Sequence, residues 1–375
     1  MKVTFDWREW RNRLIARPGF QRWAADFPLT RPIARRRARS LFDVTAGFVY
    51  SQILYACVEL ELIDHLAEGP LTLSALALRM GMTEPRADRL LRAAVALDLL
   101  ERRGVDNEGA LRFGLGQQGA AMRANPGIAA MVKHHQMLYR DLEDPLALLR
   151  SDRADTELGR YWAYASSLDP AQEADASVSE YSELMSVSNA FVAGDVLDAY
   201  SLRAHRCLMD VGGGQGNFLL AVADRWPHLQ LRLFDLPAVA ERAQQRFEAL
   251  GLGERAEAVG GDLLRTPLPK GADLCSLVRV VHDHDDDKAL RILQAVRAAL
   301  EPGGTLLLAE PMAETPGAEP IGDAYFGLYL LAMGSGRPRP PYELKAMLRE
   351  AGFGGIQLRR TRRPMQTRLL VATAV

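Results

Sequence analysis

The stretch Asp210-Val211-Gly212-Gly213-Gly214-Gln215-Gly216-Asn217 decides the fold of the C-terminal half of the chain. It follows the short apolar run Cys207-Leu208-Met209, which is typical of a strand, and it precedes a helical pattern over Phe218–Trp226. Glycines at positions 212, 214 and 216 let the backbone turn sharply and approach a ligand closely. A strand, a glycine loop and a helix in this order predict the first unit of an α/β ligand-binding domain.

Strands and helices alternate along the chain from about residue 202. Further strands are predicted at Leu229–Phe234, Leu274–Val281, Thr305–Ala309 and Arg368–Ala374. Helices are predicted between them, at Ala238–Leu250, Lys288–Leu300 and Pro341–Ala351. This alternation predicts a doubly wound, mostly parallel sheet with helices on both faces, in which ligands bind beyond the carboxyl ends of the strands.

Several side chains in this half suit a nucleoside ligand. Asp235 ends the second strand, where a carboxylate can accept hydrogen bonds from both ribose hydroxyls, although it could also cap the following helix. Asp262 follows the next β–α unit, where it could bond an adenine amino group while Leu263 packs against the ring. Asp210 stands at the tip of the first strand, where it suits a cation better than a diphosphate.

The last residue of the glycine loop separates two classes of cofactor. A dinucleotide fingerprint needs glycine or alanine at position 217, beneath a pyrophosphate, but this position holds Asn217. S-adenosylmethionine (SAM) carries a sulfonium, an ammonium, one carboxylate and no phosphate. The sequence therefore favours SAM over a nicotinamide dinucleotide, with the predicted contacts Asp210, Gly212, Gly214, Gly216, Asp235, Asp262 and Leu263.

The order of these motifs resembles class I methyltransferases, and specifically the plant-type small-molecule O-methyltransferases. The shared motifs are Asp-Val-Gly-Gly-Gly-x-Gly at 210–216, Asp-Leu-Pro at 235–237, Gly-Asp at 261–262, His282-Asp283 and Glu310. The resemblance covers about residues 42–375. It implies a metal-independent, SAM-dependent O-methyltransferase whose winged-helix half forms an intertwined homodimer. It also implies a Rossmann-like sheet with a reversed edge strand, supplied by Arg368–Val375.

The predicted proton acceptor is His282, which follows the strand Leu274–Val281 and should face the ligand pocket. Methyl transfer requires removal of one proton from the acceptor oxygen, and a neutral histidine suits that task near pH 7. The alternative is a structural histidine in a loop. The resemblance implies that Glu310 orients the imidazole and that Asp283 shapes the site or bonds the cofactor. Consecutive residues such as those at 282–287 seldom converge on one ion, so no metal site is predicted.

Two positions depart from the family pattern. The family's second histidine-orienting glutamate corresponds to Pro338, in the segment Gly334–Pro340. The lysine that often stands four residues before the histidine is replaced by Val278, and the neighbouring Arg279 is assigned to the cofactor site. Acid–base catalysis is therefore expected to contribute less here than positioning and desolvation.

Residues 41–168 are predicted to form a mainly helical domain. A helix at Ser74–Met80, a turn, a helix at Pro85–Leu100 and a two-stranded wing at Glu101–Leu115 make a winged helix-turn-helix pattern. Such a motif can bind DNA, so a DNA-binding regulator is one alternative. The second helix is too apolar to lie freely in a groove, which favours a dimerisation domain. The SAM-binding domain is predicted at residues 169–375.

Residues 1–40 form a basic and aromatic extension with a net charge of about +8. Its arginines are interleaved with the aromatic residues Phe5, Trp7, Trp10, Phe20, Trp23 and Phe27. This composition suits contact with the headgroups of an anionic membrane. The alternatives are a solvated arm and an arm whose aromatic residues pack on the next domain.

The acceptor is predicted to be a small hydrophobic molecule. Its pocket is expected to be lined by Met185, Phe326, Tyr329, Met333 and neighbours of His134 and His135. The alternative is that these aromatic and methionine side chains belong to the hydrophobic core, where such residues are found more often. The extension, Lys133–Leu149 and Gly334–Arg339 resemble bacterial carotenoid O-methyltransferases of the hydroxyneurosporene and demethylspheroidene type. This resemblance implies a tertiary hydroxyl of an acyclic carotenoid as the acceptor. A phenol, a polyketide or a bacteriochlorophyll precursor remains the alternative, for O- or C-methylation.

Composition limits the remaining classes. A formal net charge of −1 gives the whole chain no general affinity for polyanions. The chain lacks an uninterrupted apolar run of about 18 residues and a signal-peptide core, so a cytoplasmic protein without a membrane span is predicted. Its extension is the candidate contact with the inner, photosynthetic membrane. The three cysteines, Cys57, Cys207 and Cys275, are predicted to be buried thiols.

Overall fold

The structure is a computed structural model that describes residues 6–151, 155–162 and 192–375. The chain divides into two compact units, Met1–Asn125 and Pro126–Val375. The helices between residues 126 and 162 belong to the second unit, whereas the sequence analysis assigned them to a helical domain ending at residue 168.

The first unit is a helical domain with a small sheet. Its helices are Trp7–Ile15, Pro18–Asp26, Arg31–Glu59, Leu62–His65, Leu73–Arg79, Glu84–Ala96 and Gln117–Arg123. Strands β1 (Leu71–Thr72), β2 (Leu100–Val105) and β3 (Leu111–Leu115) form an antiparallel sheet in the order β1-β3-β2. This arrangement confirms the winged-helix pattern. The helix Glu84–Ala96 buries its apolar face, represented by Ala87, Leu91 and Ala94, as its composition predicted.

The helix Arg31–Glu59 has 29 residues and contains an 18-residue window with a mean hydropathy of 1.4, of which 11% is buried. Among the described residues it alone is long and apolar enough to cross a membrane. The sequence analysis predicted no such segment because Gly47, Ser51 and Gln52 interrupt the apolar run, yet they leave its mean hydropathy high. Length and composition of one helix do not separate a membrane span from an interface helix.

The second unit contains a seven-stranded sheet. Its strands are β4 (Cys207–Val211), β5 (Gln230–Asp235), β6 (Ala256–Gly260), β7 (Leu274–Val278), β8 (Thr305–Glu310), β9 (Phe353–Arg359) and β10 (Arg368–Ala374). Their order is β6-β5-β4-β7-β8-β10-β9, and β10 alone is antiparallel to both of its neighbours. Helices Asn217–Arg225, Pro237–Ala249, Asp286–Ala299 and Pro341–Glu350 begin and end within two residues of their predicted bounds.

Both faces of this sheet are covered, as the doubly wound prediction requires. Side chains alternate along β4, so that Leu208 enters one core cluster and Met209 the other. Helix Asn217–Arg225 contributes Phe218 to the first cluster, and helix Asp286–Ala299 contributes Ile292 to the second. In a sheet covered on both faces, ligands bind beyond the carboxyl ends of the strands, here those of β4, β5 and β7.

Two details of the sheet correct the sequence analysis. Strand β7 ends at Val278, and His282 lies in a separate 3-10 turn, Val281–Asp283, because the chain leaves the sheet at Arg279 with a left-handed φ of 58°. Arg368–Ala374 is reversed as predicted, but it is not the edge. Strand β9 pairs with its outer side and forms the edge instead.

A third cluster lies beside the sheet in the same unit. It is formed by helices Pro126–Asp141, Pro145–Arg150 and Glu157–Tyr161, together with a π-helix at Pro320–Phe326 that continues into helix Gly327–Met333. Its buried members are Leu138, Leu148, Leu158, Trp162, Tyr329, Leu330, Ala332 and Met333. This cluster supplies one wall of the pocket described below.

Candidate active site

The glycines of the loop after β4 differ in the space around them: Gly213 and Gly216 are closely packed, whereas Gly214 is open. A Cβ on Gly213 would lie 2.5 Å from an oxygen of Asp210, and one on Gly216 would lie 2.6 Å from the ring of Phe247. Gly214 has a left-handed φ of 58°, but a Cβ there would meet no described atom within 4 Å. The backbone therefore presents an open surface at Gly214 to which a ligand can come close.

Asp210 lies beneath this loop and is 2% exposed. Its Oδ1 accepts a hydrogen bond from Ser276 Oγ at 2.6 Å. Burial raises the pKa of Asp210 to about 7, against the opposing effect of the Ser276 hydrogen bond. A nearby cation would stabilise the ionised form of such a carboxyl group.

Asp235, at the end of β5, fixes the shape of the glycine loop. It accepts hydrogen bonds from the backbone N–H of Gly214 and of Leu236, each at 2.7 Å. Burial raises its pKa, and these two hydrogen bonds partly offset the effect. Farther along, Asp262 accepts from the N–H of Leu264 at 2.8 Å, and Leu263 packs against the core cluster of β4 and β7.

These residues suit SAM in charge and shape. Asp210 and Asp235 lie at the carboxyl ends of β4 and β5, and Asp262 follows the neighbouring strand β6. The open backbone at Gly214 lies beside Asp235. Carboxylates at this edge match a ligand with a sulfonium, an ammonium and a ribose. Asp210, Asp235, Asp262 and the loop at Gly214 are therefore the groups that would hold the cofactor.

His282 and Glu310 meet at the ends of β7 and β8, as the sequence analysis expected. Glu310 Oε2 lies 2.5 Å from His282 Nδ1. The other oxygen, Oε1, accepts from the backbone N–H of Val280 at 3.1 Å and of Val281 at 2.7 Å. Glu310 is 2% exposed and His282 6%. One carboxylate therefore fixes both the ring and the turn that carries it.

The second nitrogen of His282 faces Asp283. The distance from Nε2 to Asp283 Oδ1 is 3.1 Å. Burial by itself lowers the pKa of His282, but the charges of Asp283 and Glu310 outweigh it and raise this pKa above its usual value. Burial also raises the pKa of Asp283. Glu310 favours the tautomer with its proton on Nδ1, which leaves Nε2 as the acceptor nitrogen, and a proton that reaches Nε2 can be shared with Asp283.

A pocket opens in front of this pair. Its described lining consists of Met131, Trp162, Arg279, His282, Asp283, Tyr325, Phe326 and Tyr329. The ring of Phe326 stands edge-on to the imidazole of His282, with 6.0 Å between centroids. The guanidinium of Arg279 lies 5.9 Å from the same phenyl ring. The pocket therefore combines an aromatic wall with the His282–Asp283 pair.

Two histidine–tyrosine pairs build the aromatic wall. His134 Nε2 is 2.7 Å from the hydroxyl of Tyr329, which also accepts from Trp162 Nε1 at 2.9 Å. His135 Nε2 is 2.7 Å from the hydroxyl of Tyr325. Burial lowers the pKa of His134 to about 4 and raises that of Tyr325 to about 12. The wall is thus neutral near pH 7, and its polar atoms are already paired.

Only some of the residues predicted to bind the acceptor line the pocket. Phe326 and Tyr329 line the pocket, whereas Met333 is 1% exposed and lies in the third core cluster. It is one helical turn beyond Tyr329, about 6 Å along the helix axis, and so lies past the pocket. Met185 falls outside the described residues. Arg279, assigned to the cofactor, lies in the pocket lining.

Met131 lines the pocket and lies one helical turn before His134, among the predicted neighbours of that residue, whereas Trp162 and Tyr325 were not predicted. Tyr325 had a detectable signal, since it lies four residues before Tyr329 and therefore on the same helical face. Trp162 had none, because it reaches the pocket through tertiary packing. Within residues 6–151, 155–162 and 192–375, no group of three or more His, Cys, Asp or Glu side chains is arranged to hold a metal ion.

Comparison with known proteins identifies the family. A model of the O-methyltransferase domain matches residues 139–354, and a model of the O-methyltransferase dimerisation domain matches residues 42–121. The chain belongs to the plant-type, class I O-methyltransferase family. It is a SAM-dependent O-methyltransferase, and its dimerisation domain supports formation of a homodimer.

Two relatives are similar over most of the chain. The demethylspheroidene O-methyltransferase of Cereibacter sphaeroides is 43% identical, over 92% of this chain and 89% of that protein. The demethylspheroidene O-methyltransferase of Rhodobacter capsulatus is 42% identical, over 92% of this chain and 84% of that protein. Among solved structures, CalO1, a methyltransferase of calicheamicin biosynthesis in its SAH-bound form, is 26% identical. The TM-score is 0.73, and the match covers 91% of this chain and 98% of that one.

Proposed function

We propose that this O-methyltransferase methylates the tertiary hydroxyl of an acyclic hydroxycarotenoid, of the kind found in spheroidene- or spirilloxanthin-type biosynthesis, with His282 as general base. The observation that carries the proposal is the 43% identity, over 92% of the chain, to an enzyme named for demethylspheroidene. The apolar and aromatic lining of the pocket supports an acceptor of this class.

The residues around His282 suit removal of the hydroxyl proton. The Nε2 atom of His282 would accept it, while Glu310 holds the proton on Nδ1 and stabilises the imidazolium. Asp283, 3.1 Å from Nε2, would share the proton after transfer. SAM supplies the methyl group when it is bound. Met131, Tyr325 and Phe326 would keep water from the acceptor oxygen, which makes that oxygen a better nucleophile.

A tertiary alcohol is far less acidic than a phenol, so full deprotonation before transfer is unfavourable. The raised pKa of His282 makes it a stronger base than an ordinary histidine, which suits such an acceptor. Proton removal therefore coincides with methyl transfer, while the aromatic wall encloses the acceptor.

Methyl-labelled SAM tests the proposal when two acceptors are offered separately in detergent, a tertiary-hydroxylated acyclic carotenoid and a catechol. Label in the carotenoid alone is the expected result. Label in the catechol alone would overturn the carotenoid assignment and favour a phenol as acceptor. Absence of label from both, with SAM binding intact by calorimetry, would reject both acceptor classes.

We also propose that the start of the chain binds an anionic membrane surface, so that the enzyme is cytoplasmic but peripheral on the inner membrane. In the described part of the extension, helix Trp7–Ile15 has no buried residue and helix Pro18–Asp26 buries Ala24 alone. The indoles of Trp7, Trp10 and Trp23 are 57%, 45% and 50% exposed. Exposed indoles among arginines suit a headgroup region, where a membrane-dissolved acceptor would be collected.

Vesicle sedimentation tests this second proposal. The full chain should sediment with phosphatidylglycerol vesicles and not with phosphatidylcholine vesicles, and the double variant W7A/W10A should lose most of this binding. The matched control is L78A, since Leu78 is 82% exposed but lies outside the extension. Equal sedimentation of all three proteins, or no sedimentation of the full chain, would contradict the proposal.

A further inference from the structure

The segment Ser335–Arg339, here called the strap, lies across the turn that carries His282. The N–H of Arg337 donates to the carbonyl of His282 at 2.9 Å. Ser335 Oγ donates to the carbonyl of Asp283 at 2.6 Å, and the N–H of Gly336 donates to Asp285 Oδ1 at 2.9 Å. The strap therefore binds the main chain of the catalytic turn at consecutive residues.

Arg339 adds a buried clamp to the same turn. It is 2% exposed, although it carries a full charge. Its Nη1 donates to the carbonyl of Val281 at 2.9 Å, and its Nη2 donates to the carbonyl of His284 at 2.7 Å. An ion pair with Asp286, at 2.7 Å, balances the charge. One guanidinium thus holds the main chain on both sides of His282, which its planar fork of donors allows.

Gly336 makes the closest contact between strap and turn. Its φ is +80°, and a Cβ there would lie 2.1 Å from the carbonyl oxygen of His282 and 2.5 Å from the carbonyl carbon of Asp283. Such distances require the turn to move, because the atoms met are backbone atoms. Only glycine allows the strap to approach His282 this closely.

The strap occupies the part of the sequence where the family's second histidine-orienting glutamate is replaced by Pro338. Pro338 itself offers no carboxylate to the imidazole. We propose that Gly336 and Arg339 are positioning residues that act through the main chain of residues 281–286. They hold the His282 ring against Glu310, whose carboxylate orients it through Nδ1. This inference rests on the proposed role of His282 as general base.

A pair of glycine substitutions tests the inference. Gly334→Ala is the matched control, because Gly334 has nearly the same φ, +87°, but a Cβ there meets nothing within 4 Å. Both variants carry a similar strain from the positive φ, whereas the overlap with the turn is confined to G336A, which should lose more thermal stability. Only Gly336→Ala displaces His282. We expect it to lower kcat by about 10²-fold relative to G334A, with unchanged SAM affinity by calorimetry.

A titration of His282 separates positioning from general stabilisation of the fold. In G336A the imidazole moves away from Glu310 and Asp283, so its pKa should fall towards the ordinary value. The acid limb of the kcat profile should then shift to lower pH. If G336A does not fold, Arg339→Lys is measured instead, since the single nitrogen of an ammonium cannot take the places of both Nη1 and Nη2. The same loss of kcat and the same shift of the profile are expected.

Equal kcat and equal pH profiles in G336A and G334A would overturn the inference, and an unchanged profile in R339K would do the same. The outcome for the proposed function is read separately, from His282→Ala. If H282A is inactive while G336A is as active as G334A, the base assignment stands and the strap has only a structural role. If H282A retains full turnover, the base assignment itself fails.

Discussion

The two ends of the site are built in different ways. The cofactor end uses residues that stand at the tips of three neighbouring strands, within residues 210–262 of the chain. The acceptor end draws on the helix Pro126–Asp141, on Trp162, on the turn Val281–Asp283 and on the π-helix Pro320–Phe326. At the first end, main-chain geometry determines the site; at the second, tertiary packing determines it. Changes of acceptor therefore require no change in the cofactor loop.

The substitution His282→Ala should have the largest effect and tests whether the two ends of the site are independent. We expect turnover to fall by roughly 10²- to 10⁴-fold, because no other described side chain in the pocket combines a basic nitrogen with a carboxylate that orients it. SAM affinity, measured by calorimetry, should stay within about twofold. The control is His228→Ala, an exposed histidine distant in sequence from the pocket residues, which should retain full activity. A large loss of SAM affinity in H282A would show that the two ends are coupled.

The converse test alters the cofactor end alone. In Gly216→Ala the new Cβ would overlap the ring of Phe247, at 2.6 Å, and would shift the loop. We expect SAM affinity to weaken by about tenfold or more, because the backbone loses its close approach to the ligand. Gly251→Ala serves as control, since Gly251 also has a positive φ, 71°, but meets nothing within 4 Å. Equal affinities in the two variants would remove the loop from the cofactor site.

Substitutions in the aromatic wall should lower the stability of the fold more clearly than they lower the rate of methyl transfer. Tyr329→Phe leaves His134 and Trp162 without their shared hydroxyl partner, and both are buried. We expect the free energy of unfolding to fall by about 1–3 kcal/mol and KM for the acceptor to rise by roughly 3- to 10-fold. Tyr325→Phe, which removes one partner of His135, should have a smaller effect. Denaturant titration and steady-state kinetics measure both quantities. Unfolding free energies equal to that of the unmodified enzyme would contradict the account of the wall.

The smallest expected effect is the pH dependence of SAM binding. Burial raises the pKa of Asp210 to about 7, so its carboxyl gains charge between pH 6 and pH 8. A cation binds the charged form more tightly, and SAM affinity should therefore increase about two- to threefold over this range. The demethylated product lacks the sulfonium and should show a weaker trend. Asp210→Asn should abolish the difference between the two ligands; if the difference persists, Asp210 does not sense the sulfonium.

The cofactor end could be predicted from the sequence because its signals are local. A glycine with positive φ, or an aspartate at the end of an apolar run, depends on neighbours only a few residues away. His282 and Glu310 were found for the same reason, since each follows a recognisable strand. Trp162 could not be predicted, because its place in the pocket depends on helices that pack from elsewhere in the chain. The edge position of β9 was missed because Gly354 and Gly355 weaken its strand pattern.

The order of strands across the sheet has a consequence for synthesis of the protein. Strand β9 precedes β10 in the chain, but β10 lies between β8 and β9. The outer edge of β8 and the whole of β9 can therefore be paired only after β10 has been synthesised and has folded between them. An unpaired strand edge is open to chaperones and to aggregation until that happens. Folding of this side of the sheet is thus completed only after synthesis of the strand at its centre.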